Sequence, residues 1–289
     1  MRGAFGAVGL VAVLVGGAAG QEAVTFKQYP YKVGDKTRTT KTEDTTGGTT
    51  INAMGKEQKT KEKKKKTLVY VTEVLEVGAD AGKPAKLKRT YEKAVEERNG
   101  VETTLSLDGK TVTIERKEEK YTFTADGAAL DAAATAELDR EFTKKGNLGD
   151  NLFPEKGVKP GDSWDLTEKF LKEMDTPDNP FVIAPKGAAV TGKLLSTTKK
   201  GPTTFGDLEV TADLPLTDLR GKLPLKLNPG SGWKIAMKGT GCLDGTSPEG
   251  NSTATMTIAL EGATMGVGVK IDTQVKMSSR TNRVSGGKQ

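Results

Sequence analysis

The chain contains no histidine and a single cysteine, Cys242. The first absence removes Ser-His-Asp and Cys-His catalysis and every zinc site that needs an imidazole. The second removes internal disulfides and thiolate metal clusters. Aromatic residues make up only 5% of the chain, few for a carbohydrate site built on stacking platforms. No Gly-x-Gly-x-x-Gly opens a helix after a strand, and neither a phosphate loop nor an Asp-x-Asp-x-Asp-Gly calcium loop is present. The sequence therefore nominates no catalytic residue, no metal ligand and no cofactor. Carboxylates are plentiful, with Asp and Glu totalling 38. A pair of them could hydrolyse a glycoside, but most sit among lysines, and no pair stands out.

Residues 1–20 have the order of a secretory signal peptide. A basic start at Met1-Arg2 is followed by an uncharged apolar and glycine run from Ala4 to Val15, then by small residues ending at Gly20. Cleavage after Gly20 is expected, leaving a mature chain that starts at Gln21. The alternative is a retained anchor, although the run is short and glycine-rich against the roughly 20 apolar residues a spanning helix needs. Cys242 lies far from the cleavage region, which argues against a lipoprotein. No later apolar run is long enough to span a bilayer, so a soluble periplasmic or extracellular protein is expected. Cys242 itself reads as a small buried hydrophobe. Asn251-Ser252-Thr253 matches a glycosylation acceptor, which matters only in a host that glycosylates such sites.

What fills the chain is alternation. Leu68–Val77 reads as a strand with apolar residues on both faces, and Leu87, Arg89, Tyr91, Lys93 and Val95 alternate with mostly charged positions; apolar residues recur every second position in Leu208–Leu214, Trp233–Met237, Ala254–Leu260 and Val267–Met277. Asn99-Gly100 and Asp108-Gly109 fall between such runs, as hairpin turns do, and Asp126-Gly127 ends another. The period changes to helical over Asp131–Lys145, where Ala134, Leu138 and Phe142 share one face. Asp131 suits the N-cap, and Gly146 suits the position after the end. A second helix is expected over Thr167–Met174. Segments 34–66 and 279–289 are polar and read as loop-like. Pro215, Pro224 and Pro229 make Leu214–Asn228 an edge or a loop. The fold class is mainly β: an antiparallel meander forming a curved sheet or half-barrel packed on one or two helices. The divisions expected are 1–20, 21–150 and 151–289. Lys32-Val33-Gly34-Asp35 repeats as Lys159-Pro160-Gly161-Asp162, which reads either as a duplication relating the last two or as a short match within a single curved sheet.

Lys56–Lys66 is a lysine run beside a strand-like segment. It reads either as an anionic-surface patch or as lysines that protect a strand edge from pairing. It contains neither arginine nor an aromatic residue, and together with export this argues against nucleic acid.

The segment from Leu152-Phe153-Pro154 through Val158-Lys159-Pro160-Gly161-Asp162-Ser163-Trp164 resembles a motif of exported, β-rich bacterial proteins of unknown function. Gly241-Cys242-Leu243-Asp244-Gly245 extends the resemblance. Those proteins are often compared with LolA-like half-barrels that hold lipid or lipoprotein acyl chains. The resemblance covers the second half of the mature chain and implies a β-rich envelope protein; it carries over no catalytic residue. The residues also have a local reading, with Pro160-Gly161 as a turn and Trp164 starting a strand inward.

Three functions follow in order of preference. The first is a non-catalytic exported binding or envelope protein holding a lipid-like or apolar ligand in a cleft closed by the Asp131–Lys145 helix. The second is a structural or interaction module that contacts anionic surfaces through Lys56–Lys66. The third is a carboxylate-dependent hydrolase.

Overall fold

The computed structural model describes residues 22–78, 84–118, 120–142, 153–154, 156–176, 179–220, 225–264 and 267–284. The first arm comprises β1 (Lys36–Ala53), β2 (Lys56–Val77), β3 (Pro84–Arg98), β4 (Val101–Thr104), β5 (Thr111–Lys117), β6 (Lys120–Ala125), β7 (Ala128–Ala129) and α1 (Ala132–Phe142). The second comprises β8 (Ser163–Asp165), α2 (Thr167–Met174), β9 (Phe181–Ile183), β10 (Ala189–Lys200), β11 (Thr203–Leu219), β12 (Leu225–Leu227), β13 (Gly232–Cys242), β14 (Gly250–Thr264) and β15 (Val267–Arg283). All the strands join one curved antiparallel sheet. Its main path runs β7-β6-β5-β3-β2-β1-β15-β14, continues through β12 and β13, which both bridge β14 to β11, and ends β10-β8. The arms meet where β1 pairs with β15, from Thr37↔Arg283 to Asn52↔Gly268.

Two segments expected to be loops, 34–66 and 279–289, are largely strand where the structure describes them; 285–289 lie outside the described residues. Residues 34–66 build all of β1 and the first half of β2, and β15 continues through Arg283. Low apolar content misleads here because β1 is rich in threonine, a β-branched residue, and has a long partner on each side. Its ladder is supported by cross-strand hydroxyl pairs such as Thr39–Thr281 at 3.1 Å and Thr42–Ser278 at 2.6 Å. Met54-Gly55, with φ of 50° and 75°, turns β1 into β2. Both residues are left-handed, as a two-residue hairpin turn of this type requires. Asn99-Gly100 and Asp126-Gly127 turn the chain in the same way.

Leu214–Asn228 also differs from expectation, since β11 runs on to Leu219. Pro215 is tolerated because β10 stops pairing at Asp213, while β9 begins pairing at Leu216. The helices sit where the period change put them. Asp131 caps α1, its Oδ1 accepting the Ala134 N–H at 2.8 Å. Lys144, Lys145 and Gly146 lie outside the described residues. α2 covers Thr167–Met174 as expected.

The two Lys-x-Gly-Asp segments fold alike. In each, the aspartate Oδ2 accepts the lysine N–H at 2.8 Å, and the glycine has positive φ, 87° at Gly34 and 95° at Gly161. Each glycine N–H donates to a neighbouring strand, to Val74 in one case and Leu194 in the other, and that residue's N–H returns to the aspartate carbonyl. The next residues, Leu75 and Leu195, are each skipped in the pairing with β3 and β11 and turned toward solvent. The shared unit thus extends well beyond the four matching letters.

The 152–164 motif packs as the start of the second arm. Trp164 on β8 lies over Gly192 of β10, while Phe26 stacks on Phe153 at 4.8 Å and meets Trp164 edge-on at 5.9 Å. A Cβ at position 192 would stand 2.3 Å from the indole ring. Gly192→Ala is expected to force Trp164 off its seat and to destabilise the protein by about 2 kcal/mol. Thermal unfolding together with tryptophan emission checks it: a loss of stability with red-shifted emission is the predicted result.

Candidate functional site

Alternation gives the sheet one apolar and one polar side, because directly paired residues share a face. Following the pairs outward from Tyr70 on β2 leads through Thr39 on β1, Thr281 on β15 and Gly250 on β14 to Gly241 on β13. The same face holds both main cores. At one end, α1 sets Ala134 and Leu138 against Leu68, Tyr91, Val112 and Ile114. At the other, Leu166 and Phe170, at and within α2, lie against Val190, Val210, Ala212 and Leu214. A smaller cluster of Val158, Leu194 and Leu243 extends the second core.

The cleft expected beneath α1 is filled. Ala94 and Ala134 are 0% and 1% exposed, and these small side chains bring helix and sheet into close contact. The apolar surface left open lies farther along the sheet. Met256 and Ile258 on β14 and Ile271, Val275 and Met277 on β15 all face the helix side. Each is half-buried, and none belongs to a helix-covered core. Val275 stands directly between Met256 and Thr45, and Thr273 between Ile258 and Gly47. The strip therefore fades into threonine and glycine on β1. On its other side it continues onto Ile235 and Met237, which touch the α2 core.

A charged latch borders the strip at its α1 side. The Arg89 guanidinium is 5% exposed and gives Glu141 a two-pronged contact, Nη1 to Oε2 at 3.2 Å and Nη2 to Oε1 at 3.0 Å. It stacks 4.0 Å from the Tyr70 ring centroid and 5.0 Å from that of Phe142. Lys41 Nζ adds a contact to Glu141 Oε1 at 3.3 Å. Burial alone would push the Glu141 carboxyl up, but the Arg89 and Lys41 charges overcome it and hold the group at about 2. Burial likewise opposes the charge on Arg89, and Glu141 reverses that, so its affinity for the proton is raised. Lys66 pairs with Glu137 one turn earlier. These contacts fix α1 in place and leave no group poised for proton transfer.

At the opposite margin stands Trp233, between Phe170 at 6.4 Å and Phe181 at 5.8 Å. Its Nε1 is buried and has no hydrogen-bond partner among the described residues. A donor in that state costs on the order of 1–3 kcal/mol.

The polar side carries two shallow depressions. One, of about 380 Å3, is floored by Thr211, Ala236, Thr255 and Thr257 with Asp213 at its edge. The other, of about 240 Å3, holds Ser231, Glu261, Lys270 and Asp272. Their acids already have basic neighbours: Lys234 lies 3.3 Å from Asp213 and Lys270 3.8 Å from Asp272. Among the described residues no cluster of three or more His, Cys, Asp or Glu side chains could hold a metal.

The residues singled out in the sequence have separate places. Lys56–Lys66 lies on β2. Cys242 is half-buried at the end of β13, its Sγ 3.1 Å from Asp244 Oδ1. Asp244 in turn accepts from the Thr204 and Thr246 N–H groups, which makes it a loop anchor. Asn251 is exposed on the polar side of β14, opposite Thr240 and Arg280. The open apolar strip was signalled in the sequence by β15's alternation, but nothing there marked which part the helices would leave uncovered.

No family model matches the chain, and no curated protein does. Among solved structures it is similar to one described as lipid-protein interactions in lipovitellin, at 9% identity and a TM-score of 0.39. That match covers 90% of this chain and 26% of the other, so the chain spans about a quarter of that protein's length. It is also similar to an outer membrane channel from Pseudomonas putida F1, at 11% identity and a TM-score of 0.19, covering 89% and 98% of the two chains. Likenesses this distant carry no argument about function. Among the described residues no helix is long and apolar enough to cross a membrane.

Proposed function

We propose that the chain is an exported, non-catalytic binding protein that carries a lipid-like or other apolar ligand along the open strip of β14 and β15. The observation that supports this is the continuity of one apolar face beyond its helical cover. At either end that face is closed by a helix and filled, while between them Met256, Ile258, Ile271, Val275 and Met277 remain half-buried. A flexible acyl chain suits a long strip with methionine at both margins, since methionine side chains adapt to irregular apolar partners. Burying about 300 Å2 of apolar surface on such a strip contributes on the order of 7 kcal/mol before the cost of association. The unpartnered Trp233 N–H stands at the α2 margin, where the carboxyl or ester oxygen of such a ligand would supply an acceptor. Export through residues 1–20, with release after Gly20, belongs to the same reading.

Native mass spectrometry of the protein purified from its own envelope tests this. A co-purifying apolar adduct that exchanges with added fatty acid is the expected outcome. Repeated absence of an adduct, with no uptake of added fatty acid, would sink the reading.

A further inference from the structure

We infer that the β1–β2 hairpin is a docking surface for an anionic lipid bilayer. Residues 51–66 carry seven lysines and two glutamates, a net +5 of the whole chain's +6. Four of those lysines, Lys56, Lys59, Lys61 and Lys63, stand with Glu57 and Glu62 on an edge that β3 leaves uncovered, while Lys64 and Lys66 pair with Glu96 and Glu137. β3 pairs with β2 only from Lys64 onward, because Asn99 closes the ladder with two hydrogen bonds to the Lys63 backbone, through its Oδ1 at 2.9 Å and its N–H at 2.8 Å. Residues 56–62 therefore pair with β1 on one side and face solvent on the other, and they and Lys63 are all exposed. Lys59 pairs with Glu57, but Lys56, Lys61 and Lys63 have no ion pair among the described residues.

The tip adds what charge alone does not supply. Met54 is fully exposed at the turn, and Ile51 is 37% exposed just before it. A thioether projecting from a rigid hairpin, with lysines rising behind it, matches an interface where acyl chains lie under anionic headgroups. At about 3.3 Å per residue, Lys56 to Lys63 extends roughly 23 Å, so these lysines can all reach one headgroup layer when the edge lies along it. A dissolved polyanion would use the lysines but have no use for Met54. A second copy of this chain adding a strand to the same edge would set lysine against lysine. The lysines and Met54 lie on β2 and the turn, with β1 between β2 and the strip on β14 and β15, so bilayer binding and ligand occupancy can be lost independently.

Co-sedimentation of the full chain with vesicles decides it, comparing phosphatidylcholine alone with phosphatidylcholine containing phosphatidylglycerol. Binding is expected only to the anionic vesicles and should fall as salt rises. Each headgroup-level lysine contributes roughly fivefold. Replacing Lys56, Lys59, Lys61 and Lys63 together by glutamine should weaken binding at least about 100-fold while leaving thermal unfolding unchanged. Met54→Ser should weaken it about tenfold. Should the fourfold variant not fold, the salt dependence of the native chain and Met54→Ser still decide. Equal binding to neutral vesicles, or full binding by either variant, would overturn the inference. So would association of copies through this edge in place of vesicle binding. Competition by heparin with Met54→Ser behaving as wild type would assign the lysines to a polyanion instead.

Discussion

Glu141→Ala is expected to lower the free energy of unfolding by about 3 kcal/mol, at the lower end of the range for breaking a buried ion pair. The reason lies less in the lost attraction than in what remains. Arg89 would keep its place, 5% exposed between Tyr70 and Phe142, with its charge no longer compensated by a carboxylate. The lower end applies because a third of the Glu141 side chain reaches solvent, where screening reduces the coupling. The effect also has a pH signature. Glu141 is depressed from its ordinary value of 4.5 to about 2, so the folded form releases its proton more readily than the unfolded chain. Its contribution is therefore complete above about pH 4.5 and disappears as the pH falls toward 2. Urea unfolding of wild type and variant across that window checks both points. The gap between them should be widest above pH 5 and should close in acid.

Leu214→Ala is expected to cost about 3 kcal/mol, whereas Ile271→Ala should cost about 1 or less. Both residues lie on the same side of the same sheet. Leu214 is 0% exposed, within the core beneath α2, so its removal leaves a cavity that fixed neighbours cannot fill. Ile271 is half-buried between Leu260 and Thr49 and, among the described residues, has no helix above it, so water replaces the lost side chain. Chemical denaturation of the two variants measures the contrast. Similar large losses at both positions would mean that the strip is a packed core, and the binding reading would lose its basis.

The fold class was legible because alternation survives in the strands that face a core. The run from Val267 to Met277 reads as a strand with one apolar side, and that is its role. Asn99-Gly100 and Asp126-Gly127 were legible for a local reason: a two-residue turn needs left-handed residues whatever surrounds it. β1 was not legible. Its threonines, glycines and charges describe a strand whose stability comes from two neighbours rather than from burial, and neighbours are invisible in a single segment. The same limit applied to the site. Leu214 and Ile271 look alike in the sequence, and only the position of α2 makes one a core residue and the other part of an open surface. Arg89 was equally hidden, reading as one charge in an alternating strand until Glu141, 52 residues on, is placed against it. The repeated Lys-x-Gly-Asp was visible as four letters, but the hook to a second strand and the exposed leucine after it were not.

The most direct test of the central claim is fatty-acid binding by the double variant Ile258→Ser, Val275→Ser, measured by displacement of a fluorescent analogue beside its thermal unfolding. Both positions are half-buried on the open strip and belong to no helix-covered core. Binding at least about tenfold weaker, with a melting temperature within a few degrees of wild type, is the predicted result. Unchanged binding, or a loss of binding that merely follows unfolding, would contradict it.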